Sequence, residues 1–216
     1  MDLIVFDLDG TLIDSKEDLA CAVNAVRAHC GLAPLTNETV YSYVGEGAPT
    51  LIRRVLGPAS DAVIEDALAY FLDYYRDHMV DHTVLYPGVR ETLDRLLGAG
   101  VKLAILTNKP VRMSCAIVEA LGVAPYFERV YGGNSFEQKK PHPVGIETLM
   151  RECDSARGRT MMVGDSAVDI RTARNAHVQA CGVTYGFQPE TLVADPPDLL
   201  IDRIEDLAKW VIDGAR

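Results

Sequence analysis

The residues best suited to chemistry in this chain stand directly after a short apolar run near its amino terminus. Positions 3–6 (LIVF) are followed by DLDGT at positions 7–11. If the run is a strand of a parallel sheet, Asp7 and Asp9 lie at the carboxyl edge, where open α/β folds bind ligands. Aspartate and glycine also make ordinary turns after strands. Because the full string arises by chance in only about one chain in a few hundred, we interpret both aspartates as functional.

Three later segments add polar side chains after apolar runs or beside a proline. They contain Thr107, Lys140, and the two aspartates Asp165 and Asp169. A hydroxyl and an ammonium group can bind and neutralise a phosphoryl group during its transfer. The two aspartates alone would favour turn formation and helix capping, but beside the other segments they favour a metal site.

These residues suit phosphoryl transfer to a carboxylate, because acyl phosphates hydrolyse readily. We predict that Asp7 is the nucleophile, and that Asp9 protonates the departing oxygen and later deprotonates the attacking water. Four carboxylates beside a phosphate would repel one another without a hard cation, which predicts Mg²⁺. Asp7 and Asp165 would bind the ion, whereas Asp169 would orient water or Lys140.

Composition narrows the class of partner. Lys and Arg total 21 against 31 Asp and Glu, and the net charge of -10 would repel nucleic acid and anionic membranes. We therefore expect the partner to be a small phosphorylated metabolite. We expect the protein itself to be a monomer or a homodimer. The five cysteines are scattered without C-x-x-C spacing, which predicts a reducing cytoplasm. The apolar start is too short for a signal peptide, and no stretch approaches the roughly 20 apolar residues of a membrane span.

The alternation of short apolar runs with helical periodicity is typical of parallel β-α units and predicts the α/β class. We place strands at 3–6, 102–106, 129–131, 160–163 and 179–183, with a short edge strand at 199–201. We place helices at 88–97, 110–121, 144–152 and 204–212.

The stretch from 15 to 82 contains no convincing strand and predicts an inserted bundle of four helices. Ser15 and Asp18 form a capping-box pattern at the first helix. The second helix spans 36–43, the third begins near Pro49, and the fourth begins at Ser60. The apolar face of the fourth helix is predicted to contain Val63, Ala67, Tyr70 or Phe71, and Tyr74. We therefore divide the chain into a catalytic core at 1–14 and 85–216 and a helical cap at 15–84, with a hinge near Asp14 and Leu85.

Four segments together resemble the haloacid dehalogenase superfamily, whose members are mostly phosphatases. They are DLDGT at 7–11, ILTN at 105–108, KKPHP at 139–143 and VGDSAVD at 163–169. The resemblance implies a Rossmann-like parallel sheet flanked by helices, a cap, and an aspartyl-phosphate intermediate at Asp7. It also implies that the Asp9 carbonyl binds the metal and that Leu8 contacts the substrate. The family commonly has Ala-Gly where this chain has Ala176 and His177, so the left-handed end of that helix is expected to be altered.

Within the superfamily, VGEGA at 44–48 and TNKP at 107–110 resemble the phosphoglycolate phosphatases. Gly45 and Gly47 precede a helix and would let backbone amides approach an anion. The amide of Asn108 would bind phosphate, while Arg54 or Lys109 would pair with the carboxylate of 2-phosphoglycolate. Alternatively, the glycines only form a turn and Arg54 faces water. A nearby glutamate, at position 46, adds a negative charge to this segment, so either its side chain points outward or the substrate lacks a carboxylate.

Other functions stay open at this point. A phosphosugar mutase and a pyrophosphatase or nucleotidase share the same core residues, and the sequence separates them poorly. A non-catalytic binding protein is disfavoured because none of Asp7, Asp9, Lys140 and Asp165 is lost.

Overall fold

The computed structural model describes residues 1–214, and within them six strands form one parallel sheet. Numbered along the chain, the strands of this sheet are β1 (Leu3–Phe6), β4 (Lys102–Leu106), β5 (Arg129–Tyr131), β6 (Thr160–Gly164), β7 (Gln179–Val183) and β8 (Leu199–Ile201). Their order across the sheet is β5-β4-β1-β6-β7-β8. The predicted strands are confirmed, with β6 one residue longer than expected.

The flanking helices cover both faces of the sheet. They are α5 (Val89–Gly98), α6 (Val111–Ala120), α7 (Val144–Glu152), α8 (Ala167–Ala176) and α9 (Ile204–Asp213). Side chains of α5, α6 and α9 pack with Ile4 and Phe6 on one face, and those of α7 and α8 pack with Leu3 and Val5 on the other. Both faces of β1 are therefore buried, which explains why its sequence is uniformly apolar rather than alternating. The predicted α/β class is confirmed.

The insertion between β1 and β4 is helical, as predicted. The residues between 15 and 83, all of which are described, form α1 (Lys16–His29), α2 (Asn37–Tyr41), α3 (Ala48–Leu56) and α4 (Asp61–His78). These helices share an apolar core of their own. On both sides of the insertion the chain forms a short antiparallel ribbon, β2 (Ile13–Asp14) with β3 (Val84–Leu85). The ribbon lies where the hinge was predicted, but its strands were too short to be recognised in the sequence.

The predicted capping box at the start of α1 is wrong, because both of its side chains have partners outside the helix. The Ser15 hydroxyl donates to Asp9 Oδ1 at 2.5 Å. Asp18 accepts hydrogen bonds from the amides of His82 and Thr83, at 3.0 and 2.9 Å. Burial alone would raise the pKa of Asp18, but the hydrogen bonds from Thr83 and His82 hold it below its usual value. The start of α1 is thus tied to the end of the cap.

The expected change at the end of α8 does not occur. His177 adopts the left-handed conformation, with φ 56° and ψ 41°, and its amide donates to carbonyl groups of the last helical turn. Histidine is among the non-glycine residues that occupy this region most readily. The helix therefore ends as it would with glycine.

No helix within residues 1–214 combines the length and apolar character needed to cross a membrane. The division into core and cap at 14–15 and 84–85 stays a prediction, and the last two residues of the predicted core lie outside the described residues.

Candidate active site

Three adjacent strands of the sheet bring the predicted residues to one edge. Asp7 directly follows β1, Thr107 follows β4, and Asp165 follows β6. Because β4, β1 and β6 are neighbours and run parallel, their carboxyl ends deliver these side chains to the same place. Lys140 reaches this point from the segment before α7, and Asp169 from the first turn of α8.

Lys140 is the buried cation of the site. Its Nζ lies 2.9 Å from Asp7 Oδ1 and 2.6 Å from Asp169 Oδ1, and its side chain is 1% exposed. Burial alone would lower the pKa of Lys140, but the charges of Asp169 and Asp7 hold it above its usual value. The neighbouring Lys139 is exposed and donates instead to the backbone carbonyl of Glu46 in the cap. The structure thus brings Lys140, and not Lys139, to the predicted nucleophile.

Three buried carboxylates form a compact acidic cluster beside this lysine. Oxygen atoms of Asp7, Asp165 and Asp169 all lie within 4.8 Å of one another. Burial raises the pKa of Asp7 to about 6, with a further contribution from Asp169 and an opposing one from Lys140. Burial, together with Asp169 and Asp7, raises the pKa of Asp165 to about 8. One lysine therefore does not balance the three carboxylates, and a divalent cation would supply the missing positive charge.

The carboxylates of Asp169 and Asp165 differ in the groups that their oxygens contact. Asp169 Oδ1 contacts Lys140, while its Oδ2 accepts from the Ser166 amide at 3.2 Å and hydroxyl at 2.8 Å. Asp165 Oδ2 accepts from the amide of Phe187 at 2.5 Å, and among residues 1–214 Asp165 has no cationic partner. Asp169 thus contacts Lys140, whereas Asp165 has a carboxylate oxygen that could bind a metal.

Asp9 lies on the side of the site that faces the cap. Its oxygens are 2.9 and 3.1 Å from Lys109 Nζ, and Oδ1 also accepts from Ser15. Lys109 Nζ donates in addition to the hydroxyl of Tyr75 on α4, at 2.7 Å. Burial alone would lower the pKa of Lys109, but the charge of Asp9 and the Tyr75 oxygen raise it. The predicted acid-base residue is therefore linked through one lysine to the cap.

Above these residues a cavity lies between core and cap. Its lining includes residues of the predicted site, namely Asp7, Asp9, Gly45, Gly47, Thr107, Asn108, Lys109 and Asp165. Arg54 does not line it, because its guanidinium pairs with Glu46 and donates to the carbonyl of Tyr43. The same ion pair turns the Glu46 charge away from the cavity. Of the two predicted carboxylate partners, the structure brings only Lys109 to the site.

Side chains of the core hold the cap loop that contains the two glycines. Asn108 Nδ2 donates to the carbonyls of Gly45 at 3.0 Å and Lys140 at 3.1 Å. Gln188 Nε2 donates to the carbonyls of Ser42 at 2.8 Å and Val44 at 3.0 Å. Leu8 is fully buried, and its amide donates to Asp7 Oδ1 at 2.7 Å. Its side chain therefore cannot meet a ligand in the cavity.

Tyr75, Phe187 and Gln188 also belong to the site but were not predicted from the sequence. The predicted apolar face of α4 included Tyr74, whereas the buried residues are Ile64, Ala67, Phe71 and Tyr75. Ala67 is confirmed, as is Phe71 of the two alternatives, but Val63 and Tyr74 each lie one position before the residue that is buried. Aromatic residues occupy four of the six places at 70–75, so their spacing alone does not define one face. For Phe187 and Gln188, which lie in a loop, the sequence offers no signal.

The model of the family described as haloacid dehalogenase-like hydrolase matches residues 4–183. This chain belongs to that family. A phosphoglycolate phosphatase from Pseudomonas putida is 39% identical, and the match covers 99% of this chain and 80% of the relative. One from Vibrio parahaemolyticus is 41% identical, with coverage of 99% and 97%.

Solved structures agree with this assignment. The crystal structure of a predicted phosphoglycolate phosphatase from Haemophilus somnus matches with a TM-score of 0.93 and 31% identity, covering 98% of each chain. The hydrolase is therefore an enzyme that acts on phosphoric monoesters. Its resemblance to the superfamily, first seen in four short segments, is confirmed over nearly the whole chain.

Proposed function

We propose that this hydrolase converts 2-phosphoglycolate to glycolate and phosphate through a phosphorylated Asp7. The observation that carries the proposal is the convergence of Asp7, Lys140 and Asp165 in one buried cluster, of which Asp7 and Asp165 line the cavity between core and cap. The names of the relatives, which are phosphoglycolate phosphatases, support the choice of substrate.

In the first step an oxygen of Asp7 forms a bond to phosphorus while the bond from phosphorus to the glycolate oxygen breaks. Asp7 Oδ1 is occupied by Lys140 and by the Leu8 amide, which fixes the carboxylate for in-line attack. Asp9 gives a proton to the departing oxygen. In the second step water attacks the phosphorus, Asp9 takes up its proton, and the bond to Asp7 breaks.

Thr107 and Asn108 are proposed to bind the phosphoryl oxygens. The Thr107 hydroxyl oxygen accepts from the Lys109 amide at 3.2 Å, so its hydrogen is free to point at a phosphate oxygen. Lys140 adds a positive charge to the same group. Donors fixed in this way by the protein stabilise charge as it develops in the transition state.

A magnesium ion fits the acidic cluster, because Asp165 is a buried carboxylate with no cationic partner among residues 1–214. We propose that Asp7, Asp165 and, from the family resemblance, the carbonyl of Asp9 hold it. When bound, the ion supplies the positive charge that lets these carboxylates and the phosphate approach each other. Asp169 acts through Lys140.

The proposed partner is a small phosphorylated metabolite, and nucleic acid and membranes are not expected at a net charge of -10. The five cysteines of the hydrolase are free thiols in the structure, which supports a cytoplasmic location for the enzyme. A monomer and a homodimer both remain compatible with the proposal.

The test compares Asp7→Asn with Asp66→Asn, which alters an exposed cap residue that pairs with His29. We expect Asp7→Asn to lose Mg²⁺-dependent phosphate release by at least about a thousandfold and Asp66→Asn to retain it. Near-parental activity of purified Asp7→Asn would contradict the assignment of the nucleophile.

The substrate is tested separately, by comparing 2-phosphoglycolate with nucleotides and sugar phosphates at equal Mg²⁺. We expect the highest kcat/KM for 2-phosphoglycolate. Conversion of a β-hexose phosphate to its isomer, without free phosphate, would instead identify a mutase.

A further inference from the structure

Lys109 places a positive charge in the lining of the cavity between core and cap. Among the described residues that line this cavity, it supplies the one cationic side chain. Its Nζ is buried, with the side chain 5% exposed. An ammonium group carries three N–H donors, and in this structure they are directed to the Asp9 carboxylate and to the Tyr75 hydroxyl.

Tyr75 completes the surroundings of this ammonium group from the cap. Its ring centroid lies 4.5 Å from Lys109 Nζ, and its hydroxyl oxygen accepts the 2.7 Å hydrogen bond. Because the oxygen is an acceptor in that contact, the phenolic hydrogen stays available, and it has no acceptor among residues 1–214. Burial raises the pKa of Tyr75 to about 12, against the lowering effect of Lys109, so the phenol keeps this hydrogen at neutral pH.

The rest of the wall on this side is apolar. Leu19, Leu51, Phe71 and Met113 line the cavity and belong to the same apolar cluster as Tyr75. Burial of a charged group against such apolar side chains is strongly disfavoured unless the group contacts an opposite charge or hydrogen-bond donors. For an anionic leaving group, the Lys109 ammonium would supply the opposite charge and the Tyr75 hydroxyl would supply the hydrogen-bond donor. Both groups lie directly beside the acid-base residue Asp9.

We propose that Tyr75 and Lys109 together form a carboxylate-binding subsite that selects substrates with an anionic leaving group. This inference rests on the proposed function and deepens it by naming the residues that recognise the leaving group. Lys109 follows β4 in the core, whereas Tyr75 belongs to α4 in the cap. The subsite is therefore complete only when both parts of the enzyme are in contact, so that selection depends on the cap.

The test uses two substrates of similar size that differ in charge, 2-phosphoglycolate and ethyl phosphate. The measured quantity is the ratio of their kcat/KM values. In Tyr75→Phe the ring remains to stack on Phe71, with centroids 5.5 Å apart, and only the hydroxyl is lost. We expect the ratio to fall about 10- to 100-fold, the range for one hydrogen bond to a charged group.

Tyr74→Phe is the matched control, because it makes the same chemical change one residue earlier in α4, outside the cavity lining. It should leave the ratio unchanged. Lys109→Met should lower the ratio at least as much as Tyr75→Phe. Since Lys109 also contacts Asp9, both rates will fall in that variant, and only their ratio reports on the subsite.

The outcomes separate the two proposals. A parental enzyme that prefers 2-phosphoglycolate, with the preference unchanged in Tyr75→Phe and Lys109→Met, would overturn the subsite and leave the proposed function standing. A parental enzyme that hydrolyses other monoesters but does not prefer 2-phosphoglycolate over ethyl phosphate would reject the proposed substrate itself.

Discussion

Replacement of Lys140 by methionine tests the electrostatic balance of the site. Methionine has a similar length but no charge. The ammonium lies 2.9 Å from Asp7 and 2.6 Å from Asp169. With an effective dielectric constant of about 20, each contact corresponds to an attraction of about 6 kcal/mol. The cost of removing the ions from water offsets much of this, and removal of one partner from a buried ion pair typically costs about 3–5 kcal/mol.

We therefore expect Lys140→Met to lower the free energy of unfolding of the metal-free protein by about 3–5 kcal/mol. Urea unfolding followed by circular dichroism, in the presence of a chelator, would measure it. In an Asp7→Asn background the same change should cost less, because one of the two attractive carboxylates is gone. That double-mutant cycle isolates the contact between Lys140 and Asp7.

Lys139→Met is the control, since the neighbouring lysine is exposed and contacts a cap carbonyl. It should change the free energy of unfolding by no more than about 0.5 kcal/mol. If Lys140→Met were as stable as the parental protein at pH 8, above the pKa of about 6 that Asp7 has in the parental protein, the ammonium would not be holding the carboxylates together. The assignment of Lys140 as their common partner would then be wrong.

Two further predictions concern Asp165. A Cβ at Gly186 would lie 2.2 Å from Asp165 Cβ and 2.5 Å from the Gly10 carbonyl oxygen, so Gly186→Ala should cost about 1–3 kcal/mol and abolish thermal stabilisation by Mg²⁺. Gly158→Ala, where a Cβ meets nothing within 4 Å, should behave like the parental protein. If Mg²⁺ stabilised Gly186→Ala and Gly158→Ala equally, the proposed dependence of the metal site on Gly186 would be refuted. Burial and neighbouring charges raise the pKa of Asp165 from 3.8 to about 8, so the metal-free protein should lose stability as the pH rises between these values. Chemical denaturation at several pH values would measure this loss of unfolding free energy, which should be smaller in Asp165→Asn and in the parental protein with Mg²⁺. If neither the substitution nor Mg²⁺ reduced the dependence of stability on pH, Asp165 would not be its origin.

The sequence was sufficient to predict the sheet and the edge at which the candidate site lies. Strands buried on both faces give continuous apolar runs, and the polar residue after each run marks its carboxyl end. Asp7 was located in this way, and Thr107 and Asp165 were located with the help of the resemblance of their segments to the superfamily, without knowledge of the strand order. Their convergence follows from the parallel topology, because the ends of β1, β4 and β6 meet at one edge.

The cap was harder to predict, because its contacts link residues that are far apart in sequence. Ser15 and Asp18 matched a local helix-capping pattern, yet their partners are Asp9 and the amides of residues 82 and 83. Arg54 was a plausible ligand for an anion until the structure paired it with Glu46. In each case a charged or polar residue had several possible partners, and only the packing of the whole chain selects one.

The loop after β7 links the acidic cluster to the cap. Asp165 Oδ2 accepts from the amides of Phe187 at 2.5 Å and Gln188 at 3.3 Å, and the side chain of Gln188 donates to the carbonyls of Ser42 and Val44 in the cap. A displacement of Asp165 would therefore disturb the same residue that holds the cap loop. Since Lys109 makes a second link, from Asp9 to Tyr75, both the proposed metal site and the acid-base residue are in direct contact with groups that meet the cap. The arrangement of the cap and the arrangement of the reacting groups consequently depend on each other.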